Sequence, residues 1–176
     1  MAKKYRTNKI DAMLTFIAVL LGVVSLVMLF VPNILIKDSE TSYTGFQIVF
    51  GYVHSYKNFM NQTVSTQVLT FSFMNLLTYV LVAVGIVFTV LSYISKGNKL
   101  AKLIATLSYL VAGVLFFFII GFTMPVPVTV DIPGFASASL ATQEEIRATY
   151  MLGAGAIVSG VCSIIAVLVN AYKLFK

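Results

Sequence analysis

Four stretches without a single charged side chain, 12–36, 58–95, 103–130 and 148–172, take up most of this 176-residue chain and leave it few ways to fold. A helix needs about 20 apolar residues to cross the hydrocarbon of a bilayer, and each stretch has room for one. With 59% hydrophobic and 10% charged residues, the chain has more apolar surface than a water-soluble fold of its size hides. In lipid the backbone meets no water, so each crossing must satisfy its own amides as a helix, whatever its residue periodicity. The expectation is an all-α membrane protein, one transmembrane domain over 1–176. It is a four-transmembrane-helix bundle with helices near 13–30, 69–93, 100–122 and 148–172, outer loops 31–68 and 123–147, and an inner loop 94–99.

Charge sets the expected orientation. Lys3, Lys4, Arg6 and Lys9 precede the first crossing, Lys96, Lys99 and Lys102 lie between the second and third, and Lys173 and Lys176 close the chain. Only Lys37, Lys57 and Arg147 fall on the other side, with five of the six acidic residues. Basic residues near crossings stay in the cytoplasm, which predicts N-in/C-in. The leader before 13–30 resembles that of a secretory signal, but its apolar run is too long and no small-residue cleavage site follows Phe30, so it reads as an uncleaved anchor. The formal charge of +6 is not gathered on an aromatic-studded stripe, so no nucleic acid is expected as a partner. The lone cysteine, Cys162, lies inside an apolar run and leaves the loops without a disulfide, unlike most small secreted domains. With lysine preferred over arginine, this places the chain in a cell membrane as a multi-pass protein, specifically a bacterial cytoplasmic membrane.

Both outer loops exceed a minimal helix connection and should carry structure. In the first, Ile34, Leu35 and Ile36 lead into the polar turn Lys37-Asp38-Ser39-Glu40, and 43–52 is aromatic and β-branched, the pattern of a hairpin. In the second, Pro125 and Pro127 extend the chain through Val128 to Val130 as an edge strand. A small extracellular β-sheet from the two loops is the expected cap. Thr142-Gln143-Glu144-Glu145 matches a capping box with acids in a first turn, so the fourth helix is expected to start there, outside the lipid.

Chemistry is sparse. An ionisable side chain at mid-depth is the strongest functional sign in a crossing, and none stands there, which argues against ion-coupled transport. The single histidine, His54, lies in the first loop, so a membrane-embedded serine–histidine protease is excluded, and one cysteine excludes a Cys-x-x-Cys oxidoreductase. His54 reads as a solvated loop residue; as a sensor or catalyst it would need Asp131, Glu144 or Glu145 brought to it. No catalytic residue, metal site or cofactor is predicted. Asn75 is the most polar side chain well inside a crossing and reads as an interhelical hydrogen-bonder, with a cavity-lining role as the alternative. Asn170, near the cytoplasmic end, is expected to meet headgroups. Gly155, Ala156, Ser159 and Gly160 form a small-residue stripe that lets backbones approach, either inside the bundle or against a partner. Phe116, Phe117 and Phe118 must point around their helix, at least one toward lipid or a partner. Tyr43, Phe46, Phe50 and Tyr52 are a candidate outer recognition surface, or else a small core under the hairpin.

A longer first outer loop, a shorter second one, an expected extracellular sheet and cytoplasmic termini make a layout similar to that of the claudin-like tetraspan proteins. Claudins carry Trp-Gly-Leu-Trp and two cysteines in the first outer loop. Here Gly45-Phe46-Gln47 and Gly51-Tyr52 stand in that stretch without tryptophan or cysteine, so the resemblance is one of layout and transfers no functional residue. The expected function is a non-enzymatic membrane protein acting by interaction, an accessory subunit or scaffold of a membrane complex whose partners are membrane lipids and another membrane protein or itself. The alternative is a transport or channel component for a neutral or lipidic substrate, with Asn75, Thr78, Thr89 and Ser92 along its path.

Overall fold

The computed structural model describes residues 2–57, 59, 61–95, 98–127, 129, 130, 138, 139 and 141–175; Lys96, Val128, Asp131 and Lys176 lie outside them. Among the described residues four helices are long and apolar enough to cross a membrane. The first is α1 (Ala2–Val27), extended by a 3₁₀ turn at Met28–Phe30. The connection that follows holds β1 (Pro32–Ile36), β2 (Ser42–Thr44), α2 (Gly45–Phe50), β3 (Tyr52–Lys57) and β4 (Thr63–Leu69). The second and third crossings are α3 (Phe73–Ile94) and α4 (Lys99–Phe117). Then come α5 (Ile119–Phe122), β5 (Thr129–Val130), β6 (Ala138–Ser139), α6 (Gln143–Ala148) and β7 (Tyr150–Leu152), and the last crossing is α7 (Ala154–Phe175).

The four long helices close into a ring in which α1 packs on α3 and α7, and α4 on the same two. Ala18, Tyr79, Val82, Tyr109, Ala112, Phe116, Ala156 and Ala166 fill the centre. The outer flanks are as apolar as the centre: Met13, Phe16, Leu20, Val23 and Val27, three and four apart, form one exposed stripe along α1. In water such a stripe would be a liability; in lipid it is the solvent-matched face. Phe116 points inward while Phe118 is exposed, as three consecutive rings on a helix must diverge.

One end of the bundle carries the termini, the other the sheets. At the terminal end Lys102 Nζ donates to the Lys173 carbonyl at 2.8 Å, satisfying an open helix end, and Lys173 Nζ donates to Thr15 Oγ1 at 2.6 Å. At the cap end β1 is the middle of an antiparallel sheet ordered β2-β1-β7, drawing strands from both connecting segments. Ile34 pairs with Tyr43 and Leu152, Leu35 with Ser42 and Met151. The β3–β4 hairpin forms a second sheet, joined to the second segment at its base by a Leu69–Pro125 bridge, and β5 pairs with β6 as a third.

Local structure departs from the sequence reading in four places, one of them the helix expected over 100–122, which is divided at Phe118 into α4 and α5. The run 43–52 is not one strand: Thr44 Oγ1 accepts from Gln47 N at 3.3 Å while Gln47 Oε1 accepts from Thr44 N at 2.9 Å, and this capping box turns Gly45–Phe50 into α2. Leu69 is the end of β4, 70–72 are an irregular link, and α3 begins only after Ser72, whose side chain accepts from Asn75 N. The Thr142 box does form, with Thr142 N donating to Glu145 Oε2 at 2.7 Å, but it starts the short α6 and not the last crossing. Pairing of β7 with β1 breaks the helix at 150–152, so the crossing runs from Ala154 rather than 148.

Candidate functional site

The polar face of α3 points into the bundle. Asn75, Thr78, Thr89 and Ser92 are all buried. Each hydroxyl is bonded within its own helix: Thr78 to the Met74 carbonyl at 3.0 Å, Thr89 to Gly85 at 2.7 Å and Ser92 to Thr89 at 2.8 Å. Side chains that answer their own backbone are tolerated inside lipid-embedded bundles because no polar group is left open. Asn75 Nδ2 donates to Thr123 Oγ1 at 3.3 Å, tying α3 to the end of α5. Asn170 does not meet headgroups: it is fully buried, and its Nδ2 donates to Thr89 Oγ1 at 3.3 Å and to the Ala166 carbonyl at 3.1 Å, because its face of α7 turns toward α3. The Oδ1 atoms of Asn75 and Asn170 are buried and find no donor among the described residues.

The small-residue stripe of α7 works inside the chain. Gly155, Ala156, Ser159 and Gly160 are buried against α1, α4 and the start of β1. A Cβ on Gly155 would stand 2.6 Å from Asn33 Nδ2, and one on Gly160 2.8 Å from the Phe117 ring. Beside them Ser25 Oγ donates to the Ser159 carbonyl and Ser159 Oγ to the Ser25 carbonyl, each at 3.2 Å, a reciprocal clasp between α1 and α7. Small residues permit the close approach, and the paired hydroxyls hold it.

Where these helices meet the cap, Asn33 is the hub. Fully buried, it donates from Nδ2 to the carbonyls of Met28 at 2.8 Å and Val31 at 2.7 Å, and its Oδ1 accepts from Tyr79 OH at 3.1 Å. The 3₁₀ turn, β1 and α3 are thus fixed through one amide. Above it Tyr43 packs between Tyr52 and Tyr150, with ring centroids 5.9 and 6.2 Å away. Burial, then the neighbouring Tyr52, raises the Tyr43 hydroxyl above its ordinary range; burial, then Tyr43, pushes Tyr150 up to about 12 against the pull of Arg147.

The candidate outer surface therefore divides. Tyr43 is buried and Tyr52 half-buried, so these two belong to a cap core, whereas Phe46 and Phe50 on α2 are exposed. Further exposed apolar side chains follow on the β3–β4 hairpin: Val53 on one face, Tyr56 on the other, and Phe59 between the strands. His54 is on this hairpin, exposed and flanked by Tyr52 and Tyr56 at 6.4 and 6.2 Å between centroids. Glu144 and Glu145 are exposed on α6, Glu145 being held below the usual carboxylate range by its bonds from the Thr142 backbone and side chain, and Asp131 lies outside the described residues. No three of His, Cys, Asp or Glu gather among the described residues.

Asn33, Tyr79 and Tyr109 escape a reading of the sequence alone. The available signal is general: a tyrosine in mid-crossing must find an acceptor for its hydroxyl. Tyr79 finds Asn33, and Tyr109 donates to the Ala18 carbonyl at 3.3 Å.

Four apolar crossings and a sheet-bearing cap define a multi-pass membrane protein. Within that class no family model, characterised protein or solved structure matches this chain.

Proposed function

We propose that the chain is a non-enzymatic membrane protein that acts by protein interaction, as an accessory subunit or scaffold of a membrane complex. In this reading it lies N-in/C-in in a cell membrane, the cytoplasmic membrane of a bacterium, with its cap outside in a claudin-like layout. The distribution of lysines supports the orientation: Lys99, Lys102 and Lys173 sit at the terminal end. The observation that carries the interaction reading is the β3–β4 hairpin. Its strands are exposed along nearly their whole length, and it offers Val53, Tyr56 and Phe59 to the outside. A lone two-stranded hairpin is marginal in water, and exposed aromatics on a projecting element are what a partner protein covers.

The test is mass spectrometry after crosslinking of tagged protein drawn gently from its own membrane, for the parent chain and for the triple variant Val53→Ser, Tyr56→Ser, Phe59→Ser. The expected outcome is a defined partner at fixed stoichiometry, lost in a variant that still folds. Recovery of the parent chain alone with lipid would overturn the interaction reading. A second reading, a transport or channel component for a neutral or lipidic substrate, draws support from the buried, donor-free Oδ1 atoms of Asn75 and Asn170, which lie toward opposite ends of the bundle interior. Flux across liposomes that falls in Asn75→Leu and Asn170→Leu would favour it.

A further inference from the structure

The helix α2 sits at the depth where the bundle's crossings end. Its last turn accepts a hydrogen bond at the Val49 carbonyl from Ser72 N at 3.0 Å, immediately before α3 starts. Its first turn stacks Phe46 on Phe30, the last residue of the first crossing, at 6.3 Å between centroids. One face of α2, Gly45, Ile48 and Val49, is buried against the bundle. The opposite face shows Phe46 at 47% and Phe50 at 51% exposure, one turn apart with rings 4.7 Å from each other. Phe30, Phe71 and Phe73 are exposed too.

Several features identify what covers this shelf. The segment Gly45–Phe50 has no charged residue, and its one polar side chain, the half-buried Gln47, is turned back to the start of the helix, where its Oε1 accepts from Thr44 N. Its ends are partly closed: Gln47 N is answered by Thr44 Oγ1, the Gln47 carbonyl by Gly51 N at 2.9 Å and the Val49 carbonyl by Ser72 N. Each end group answered within the protein lowers the cost of placing a short helix in a layer poor in water. The shelf is also continuous with exposed apolar flanks of two crossings, through Phe30 to Val27 and Val23 on α1 and through Phe73 to Met74 on α3, all of which face hydrocarbon in a membrane.

We infer that α2 is an interfacial anchor whose Phe46 and Phe50, with Phe30 and Phe73, sink into the leaflet just below the headgroups, the lipid surface being the partner of this face. Interfacial helices bind by apolar area buried at this boundary. Because β3 leaves α2 after the single residue Gly51, the anchor also sets the angle at which the β3–β4 hairpin stands off the membrane. The inference is independent of what that hairpin binds.

The chain contains no tryptophan, so single substitutions report without background. The variants Phe46→Trp, Phe50→Trp and Tyr56→Trp would each be reconstituted in phosphatidylcholine vesicles, with and without acyl chains brominated near the carbonyl or near the terminal methyl. The expected result is a several-fold loss of emission for Phe46→Trp and Phe50→Trp with the shallow bromines, a smaller loss with the deep ones, and none for Tyr56→Trp on the hairpin. In parallel, the parent chain in vesicles of phosphatidylcholine carrying an acyl-chain diazirine should yield lipid adducts on residues 45–50 after irradiation. Emission from the α2 variants as unquenched as that of Tyr56→Trp would overturn the inference. So would adducts on 23–30 with none on 45–50. Blue-shifted, unquenched emission that reddens as protein is diluted among lipids would assign the shelf to a second copy of the chain instead.

Discussion

The connection between α1 and α3 holds two hairpins that end in opposite situations. The β1–β2 hairpin is locked into the molecule: β7 adds a third strand, Ile34 and Tyr43 are buried, and Asn33 answers two backbone carbonyls and a tyrosine of α3. The β3–β4 hairpin is fastened at its base, by Leu69 and by the Val126 N to Val68 carbonyl bond of 2.9 Å, and further out it depends on its own ladder and contacts such as Ser55 Oγ to Ser65 Oγ at 2.9 Å. One half of the loop closes the bundle and the other half is presented. The first should therefore control stability with no direct part in recognition, and the second the reverse.

The largest expected effect tests the locked half. Asn33→Leu takes the amide donor from the Val31 carbonyl and the acceptor from the Tyr79 hydroxyl in a place water does not reach, and leaves the Met28 carbonyl with Val31 N alone, at a cost of about 3 kcal/mol. Thermal unfolding in detergent should show a steep drop for this variant. Tyr56→Ser, on the presented half, should stay within about 0.5 kcal/mol of the parent, as exposed substitutions do. Equal losses for the two would break the comparison. Tyr79→Phe is the finer probe: it keeps the ring against Phe116 and removes only the hydroxyl that Asn33 Oδ1 accepts, so about 1 to 2 kcal/mol is expected. If Tyr79→Phe matched Asn33→Leu, the hub would reside in Tyr79 and not in the amide.

The difference between the halves is also the difference between what the sequence displays and what it conceals. The four crossings are legible because charge delimits them, and any chain so apolar must meet lipid with helices. The turn Lys37-Asp38-Ser39-Glu40 is legible as well, since the polar residues interrupt two apolar runs, and β1 and β2 do flank it. By contrast α2 hides behind its aromatic content: Phe46 and Phe50 suggest a strand, while the Thr44-x-x-Gln47 spacing that starts the helix is easily passed over. The strand β7 is invisible locally, because Tyr150-Met151-Leu152 runs without a break into the apolar residues of α7 and becomes a strand only by pairing with residues more than a hundred positions earlier. The small-residue stripe is legible as a close approach but not as to its neighbour, which the structure identifies as α1, α4 and Asn33. Asn33 itself, one polar residue beside Pro32, announces nothing until Tyr79 and Gly155 are folded against it.

Alkali should separate the halves by a different route. Tyr43 and Tyr150 face each other in the cap core, both with raised pKa values, Tyr150 at about 12. A tyrosine is neutral when protonated, so a raised value in the folded state means that the unfolded chain gives up its proton first. The stability these groups contribute is complete below the unfolded value of about 10 and declines as pH rises from there to about 12. Protection of the β1, β2 and β7 amides, their exchange taken relative to the base-catalysed rate of free amides, is expected to fall over that window. In Tyr150→Phe, which leaves Tyr43 as the remaining group of the pair to ionise, the fall over that window should be smaller. An unchanged profile in Tyr150→Phe would place the alkaline weakness elsewhere than in Tyr150.

The smallest effect concerns how β7 is delivered to the locked half. The strand follows α6 after the single residue Thr149, and α6 starts from the box in which Thr142 Oγ1 accepts from Glu145 N at 3.3 Å. Thr142→Ala removes that acceptor and should cost about 1 kcal/mol locally. Because α6 is short and none of its residues is fully buried, the loss should appear as faster amide exchange over 143–148, with little change in the midpoint of global unfolding. The bonds of β7 to β1, together with Lys37 N to the Thr149 carbonyl at 2.8 Å and Gly153 N to the Asn33 carbonyl at 2.8 Å, hold the strand independently of the helix before it. If Thr142→Ala lowered the global midpoint as far as Tyr79→Phe does, α6 would count as part of the lock, and the boundary between closing and presented structure would have to be redrawn to include it.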